Sequence, residues 1–421
     1  MTTPTTPMTP TPMTPMTPMT PTTQRPNDRR YLGDPDADGP MAAFAPELTD
    51  PRALLKAVAG VMHSLDRPPG ALGDWLATER DLPEWADRDL MRAGQQVFQR
   101  WGLQIGAVLF GSSLPWAYAA EHGVQSLARS SDLFGRDVRL RIAETGQMLV
   151  DTCGLANANG ASFDPDSQAY QTISGVRMLH AAVRRALPAS PDWQHAWGLP
   201  INQEDLAGTL LTFTTIIFDG LPRLGVALRP EEEFAYLHLW SVIGHFLGVD
   251  HSVIPRDLAA ARALQTEIAS TQLAPCEQGR RLMQALLAEM ELSMPRGLKK
   301  VPRTFVHHLA GPQVCDILDV PAPAWWAPIL SLTAAVGRRV TPLPGVRAFA
   351  GWPGRVIASA MFRMYIDAGL KGRRPRFRIE AEEAKRWRLG TNSARVTWRE
   401  RRLAGRRQSL VSAGADTVGM T

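Results

Sequence analysis

The sequence predicts an all-α fold. Apolar residues recur at steps of three and four over segments of helix length, alternating apolar strands are scarce, and no solenoid repeat runs through the chain. The segments follow in order as "PRALLKAVAGVMHSL", "DRDLMRAGQQVFQRWGLQIGAVLFG", "GRDVRLRIAETGQMLVDTCG", "DSQAYQTISGVRMLHAAVRRALP", "NQEDLAGTLLTFTTIIFDGL" and "PEEEFAYLHLWSVIGHFLGV". Their ends are marked. Asp164 and Pro165 are expected to open the segment that holds His180, and Pro188 to close it. Pro230 and three glutamates open the segment that holds His245, where the acids suit the positive helix end. In "PINQED", Asn202 predicts an N-cap, with Asp205 in the first turn.

A chain of 421 residues, 44% hydrophobic, can bury a sizeable core. Three divisions are expected: a disordered tail over residues 1–40, a helical body over 41–370, and a basic segment over 371–421, partly helical and then disordered. The tail, "MTTPTTPMTPTPMTPMTPMTPTTQRPNDRR", is a Thr/Pro/Met repeat without the composition to bury a core. It also lacks the cationic start and apolar run of a secretory signal, and Arg29 and Arg30 precede "YLGDPDADGP" rather than an apolar stretch. A cytoplasmic protein is the expectation, with peripheral membrane contact left open.

Cys153, Cys276 and Cys315 form neither a CxxC nor a CxxCH pattern, which excludes a disulfide framework and covalent haem attachment. Positive charge gathers in "KGRRPRFRIEAEEAKRWRLGTNSARVTWRERRLAGRRQ", but no nucleic-acid motif accompanies it. The reading is a solvated, salt-bridged terminal helix packed on the core, with an anionic membrane surface as the alternative and no nucleic-acid partner. Three apolar stretches, "WGLQIGAVLFGSSLPWAYAA", "LAGTLLTFTTIIFDGLP" and "APAWWAPILSLTAAV", are short or interrupted by Gln104, Pro115, Asp219 or Pro328. A spanning helix needs about 20 mostly apolar residues, so these are expected to be core helices.

In "SGVRMLHAAVRRAL", Ile173, Val176, His180, Val183 and Leu187 form one apolar stripe with an imidazole at its centre. A core histidine bonded to backbone is one reading of it. Arg177 at i−3 and Arg184 at i+4 support another, because two cations beside a buried imidazole suit a cofactor with an open metal position and peripheral carboxylates. Haem b has that shape, with His180 as the iron ligand and the arginines as propionate partners; the alternative is that both arginines snorkel to solvent. In "RLRIAETGQML", Thr145 takes a place on the stripe Val138, Ile142, Leu149 where an aliphatic is expected, with Arg141 at i−4 and Glu144 beside it. The hydroxyl either bonds back to its own helix or faces a pocket in which it orients oxygen.

The run from "FGSSLPWAYAAEHGVQSL" through "RLRIAETG", "RMLHAAVR", "LPINQEDLAGTLLTF" and "AYLHLWSVIGHFLGVD" resembles the latex clearing proteins (rubber oxygenases) and the related oxygenases of mycophenolic acid biosynthesis. The resemblance covers residues 85–255 well and the rest weakly. It implies a globin-like helical core with additional helices around one non-covalent haem b, with His180 as proximal ligand and O2 as co-substrate on the opposite face. It implies oxidative cleavage of a carbon–carbon double bond in an apolar isoprenoid, giving aldehyde and ketone ends. Arg141 and Thr145 match family positions near the haem, Thr212 falls where another pocket threonine is expected, and Glu121 is the nearest counterpart of a carboxylate base. Rubber-cleaving relatives can carry a lysine where this chain has Glu144, so a lysine-capped iron is not expected here. Glu144 is the alternative base, provided burial raises its pKa.

His238 and His245, seven apart on one helix face, and the adjacent His307 and His308 are expected to be structural. No GxGxxG, GxxxxGK[ST] or GxSxG motif points to nucleotide binding or hydrolysis. A non-catalytic haem-binding sensor or carrier, and a helical protein without cofactor, are the competing readings.

Overall fold

A computed structural model describes residues 26–370 apart from 64–69, 79–80, 135–137, 156–159, 166, 293 and 326. The Thr/Pro/Met repeat and the basic C-terminal segment lie outside the described residues. After a short 3-10 turn at Pro26–Tyr31, the chain forms α1 (Pro35–Ala43), α2 (Pro51–His63), α3 (Ala71–Ala77), α4 (Arg88–Val108), α5 (Leu114–Tyr118), α6 (Gly123–Phe134), α7 (Val138–Thr152) and α8 (Gln168–Ala186). It continues as α9 (Gln203–Thr212), α10 (Thr215–Gly220), α11 (Pro230–Phe246), α12 (Leu258–Gln272), α13 (Glu277–Leu292), α14 (Val301–Ala310), α15 (Pro312–Ile317), α16 (Ala327–Val340) and α17 (Pro344–Leu370). The all-α expectation holds: no strand occurs among the described residues, only an isolated bridge between Ala120 and Leu273.

Two apolar cores organise these helices. The larger gathers Phe98, Ile105, Leu149, Ile173 and Trp240, where α4 packs on α11 and α17, and α7 on α8 and α17. Close approach of α4 and α11 requires Gly94, because a Cβ there would stand 2.5 Å from the Ala235 carbonyl oxygen. The smaller core gathers Met41, Leu54, Leu55, Leu72, Met178 and Leu187 from α1, α2, α3, α8 and the turn that follows α8. Helix α8 therefore serves both, with Ile173 in one core and Met178 in the other.

Several boundaries depart from expectation. The 3-10 turn at Pro26–Tyr31 and α1 at Pro35–Ala43 both fall within the span 1–40 that was expected to be a disordered tail. Helix α8 opens at Ser167, whose hydroxyl accepts from the Tyr170 N–H, because Asp164 is engaged by the Ser162 hydroxyl instead. The stretch "LAGTLLTFTTIIFDGL" is two helices, broken at Thr214 (φ −124°, ψ −90°). There the hydroxyls of Thr212 and Thr214 donate to the carbonyls of Thr209 and Leu210, offering the backbone an alternative to a continuous helix.

Other ends are as read. Pro230 begins α11, and Asn202 caps α9 by accepting from the Asp205 N–H at 3.0 Å. Asn202→Ala is expected to lower stability by about 1 kcal/mol, readable as a shift in the urea midpoint. Helix α16 is not a core helix: only Ala334 is buried, because the helix seats itself through Gly337, whose backbone lies against Gly225.

Candidate functional site

The site is built on the packed pair α7 and α8. On α8, Ile173, Arg177, Arg184 and Leu187 are buried, whereas Val176 and His180 on the same face keep exposed surface. On α7, Met148 and Leu149 are buried, while Ile142 is half-buried and Thr145 exposed. Both helices thus open beside their chemistry-bearing residues, although each is sealed within a turn or two.

His180 Nδ1 is closed off from solvent and has no hydrogen-bond partner. Burial pushes the imidazole pKa down to about 3, the nearby Arg184 cation adds to that, and Asp34 opposes it. The ring is therefore neutral near pH 7, the form that ligates metals. An unmet buried polar atom costs about 1–3 kcal/mol, a cost that a metal-bearing group would offset. Across the window from 6.5 down to about 3 the unfolded chain takes up a proton that folded His180 refuses, so stability falls as pH is lowered. His180→Ala is expected to flatten that part of the curve, as urea midpoints across the pH range would show.

The two arginines part company. Arg177 donates from Nε and Nη2 to the two carboxylate oxygens of Asp34, each at 2.6 Å, and lies 3.4 Å from Asp36. Burial opposes its charge, but the hydrogen bond and charge of Asp34 outweigh that and raise its pKa. Arg184 donates from Nε to Asp38 at 2.7 Å and from Nη1 to the Ile201 carbonyl at 3.1 Å. Its Nη2 is buried without a hydrogen-bond partner, 3.7 Å from Asp34. The snorkelling alternative is thereby removed, and the propionate role expected of both is corrected for Arg177, whose fork Asp34 fills. Arg184 Nη2 retains a donor for an anionic group. The residues fit a haem-like group at His180 and Arg184, and not at Arg177.

Sequence reasoning missed the strap that supplies Asp34 and Asp38. Arg30, at its start, donates to Glu204 at 3.3 Å, Asp205 at 3.2 Å and the Trp197 carbonyl at 2.5 Å. Arg185 holds the other end through the carbonyls of Met41 and Phe44. Gly248 leaves room for the strap, since a Cβ there would land on the Asp34 carboxylate. The only signal in the sequence was the acidic cluster of "GDPDADG".

The remaining expected residues are dispersed. Arg141 donates to the Leu127 carbonyl at 2.9 Å, tying α7 to α6, and lies near Tyr118, whose hydroxyl burial pushes up to about 12 while Arg141 opposes the shift. Glu144 is half-buried on α7 beside the exposed Thr145. Glu121 sits in the turn before α6, its N–H donating to the Gln272 carbonyl and its charge felt by Cys276, so it belongs to the α12–α13 connection. Thr212, buried on α9, donates its hydroxyl to the Thr209 carbonyl at 2.7 Å.

His238, His245, His307 and His308 have structural partners. His238 Nε2 accepts from the Asp87 N–H at 2.9 Å, and the rings of His238 and His245 both meet Trp85 edge-on. His307 bonds the Val320 and Pro321 carbonyls, and His308 the Arg223 carbonyl. Among the described residues no group of three His, Cys, Asp or Glu side chains is placed to hold a metal ion by itself.

Comparison with known proteins bears on the same region. The family described as ER-bound oxygenase mpaB/B'/Rubber oxygenase, catalytic domain, matches residues 99–339, a span that runs from α4 to α16 and leaves the strap outside. The rubber oxygenase of Streptomyces sp. (strain K30) is 30% identical over 340 residues, which cover 76% of this chain and 80% of that protein. A solved structure of latex clearing protein LCP in the closed state shares the fold with a TM-score of 0.61, covering 80% of this chain and 91% of that one at 24% identity. Membership of an oxygenase family sets aside the carrier reading. The chain belongs to the mpaB/rubber oxygenase family and is an oxygenase.

Proposed function

We propose that the protein is a haem b-dependent oxygenase that cleaves a carbon–carbon double bond of an apolar, polyisoprene-like alkene. In the net reaction one alkene and one O2 give two carbonyl ends, an aldehyde and a ketone, so that both oxygen atoms enter the products. The observation that carries the reading is His180: a neutral imidazole with an unmet ring nitrogen, at the opening of α8, beside an arginine nitrogen that has no hydrogen-bond partner. Relatives known as rubber oxygenases supply the substrate class.

His180 and Arg184 would hold the haem, which supplies the oxygen chemistry when bound. The chain's own side chains do the rest. Asp34 fixes Arg177 and, through α8, the position of the imidazole. Arg141 anchors α7 to α6, and Thr145 presents a hydroxyl at the opening of α7 to orient the oxygen substrate. Glu144 takes the role of base, accepting an allylic proton at its carboxylate and returning it before the products leave, while Glu121 lies in the turn before α6 with its N–H on the Gln272 carbonyl.

Two tests follow. Haem-supplemented protein incubated with short isoprene oligomers is expected to consume O2 and release carbonyl products in step; O2 uptake without carbonyls would overturn the cleavage reaction. Thr145→Val is expected to lower turnover by about 10- to 100-fold, whereas Thr212→Val costs about 1 kcal/mol of stability and leaves turnover near that of the unmodified protein. Steady-state rates and melting curves of the two variants separate these effects.

A further inference from the structure

Helix α16 turns its apolar stripe outward. Ile329, Leu332, Val336 and Val340 follow steps of three and four along one face, opposite the buried Ala334, and Leu332 and Val336 are 65% and 54% exposed. Trp325, just before the helix, is 89% exposed. A contiguous outward stripe of this kind marks an interaction surface rather than ordinary scatter of apolar residues.

The stretch of chain that carries the stripe has one sign of charge. From Val320 to Ile366 the sequence contains no aspartate or glutamate and five arginines; Arg338 and Arg339 are exposed on α16 itself, whereas Arg347 is paired with Glu232. Arg339, next to Val340, is exposed at the edge of the stripe. At the other end, the Thr304 hydroxyl accepts from the Ala324 N–H, which brings the start of α14 beside Trp325. Leu298, Lys299 and Lys300, immediately before α14, are exposed there.

We infer that this face docks on an anionic phospholipid surface, with the stripe and Trp325 entering the headgroup region and Lys299, Lys300 and Arg339 meeting lipid phosphates. An apolar face edged by an aromatic and by cations is the arrangement of interfacial helices. Charge argues against the other occupants. A second copy would set Arg339 near like-charged residues with no acid in this stretch of chain to neutralise them. The segment that follows α17 begins "KGRRPRFR" and carries the same sign. An uncharged polymer offers the cations no counter-charge. No helix among the described residues is long and apolar enough to cross a membrane, so the contact is peripheral. The inference does not rest on the proposed reaction.

The test is co-sedimentation of the full chain with vesicles of phosphatidylcholine alone and of phosphatidylcholine mixed with phosphatidylglycerol. Binding is expected to the mixed vesicles, weakening as salt is raised. The double variant Leu332→Asp, Val336→Asp alters exposed positions only, and its melting temperature is expected to match that of the unmodified chain. Its vesicle binding is expected to fall by at least about tenfold. Unchanged binding by this variant would assign the affinity to the basic C-terminal segment and overturn the inference. Equal binding to both vesicle types, or a dimer in solution that the variant dissociates, would overturn it as well.

Discussion

His180→Ala is expected to reduce oxygenase turnover by more than about a hundredfold, exceeding the 10- to 100-fold typical of losing a group that only supports a metal ligand. His180 is the one side chain in the α7–α8 site with a neutral donor nitrogen left unmet by the protein. Alanine is a better helix former than histidine, and removing the ring also removes a buried polar atom without a partner. The fold is therefore expected to survive, with far-UV circular dichroism unchanged while turnover collapses. A variant that keeps full turnover would take His180 out of the site.

The second large effect is expected at Asp34. Its carboxylate is 3% exposed and is gripped by two nitrogens of Arg177, itself 7% exposed. Removing one member of a buried pair strands the other charge in a poorly polarisable interior, at a cost of about 3–5 kcal/mol. Asp34→Ala is expected to lower the unfolding free energy by that amount and to free α1 from α8. The double variant Asp34→Leu, Arg177→Met is expected to recover most of the loss, because desolvating two charges is itself costly. Urea unfolding of the single and double variants checks both statements; a double variant no more stable than Asp34→Ala would show that the ion pair is not the source.

Much of the helical frame was legible because it depends on local rules. The stripe of α8, the Asn202 cap and the Pro230 start each follow from residues within a turn or two of one another. Residues far apart in sequence were not legible. Asp34 and Arg177 are separated by 143 positions, so nothing around "RMLHAAVR" announced that a carboxylate from the strap fills one of its two arginines. Resemblance suggested a pocket role for Thr212, whose hydroxyl is bonded within its own helix. Helix α16 shows a third case. Periodicity identifies an apolar face, but only tertiary packing decides whether that face is covered, and in α16 it is the small-residue side that meets the body.

The central claim is that His180 holds a haem. It is tested most directly by the absorption spectrum of the full chain purified after haem-supplemented expression, with the haem typed as its pyridine complex. The account predicts a Soret band, haem b at about one per chain, and loss of both in His180→Ala with helicity retained. A folded but colourless protein, or a variant that keeps the full Soret band, would contradict it.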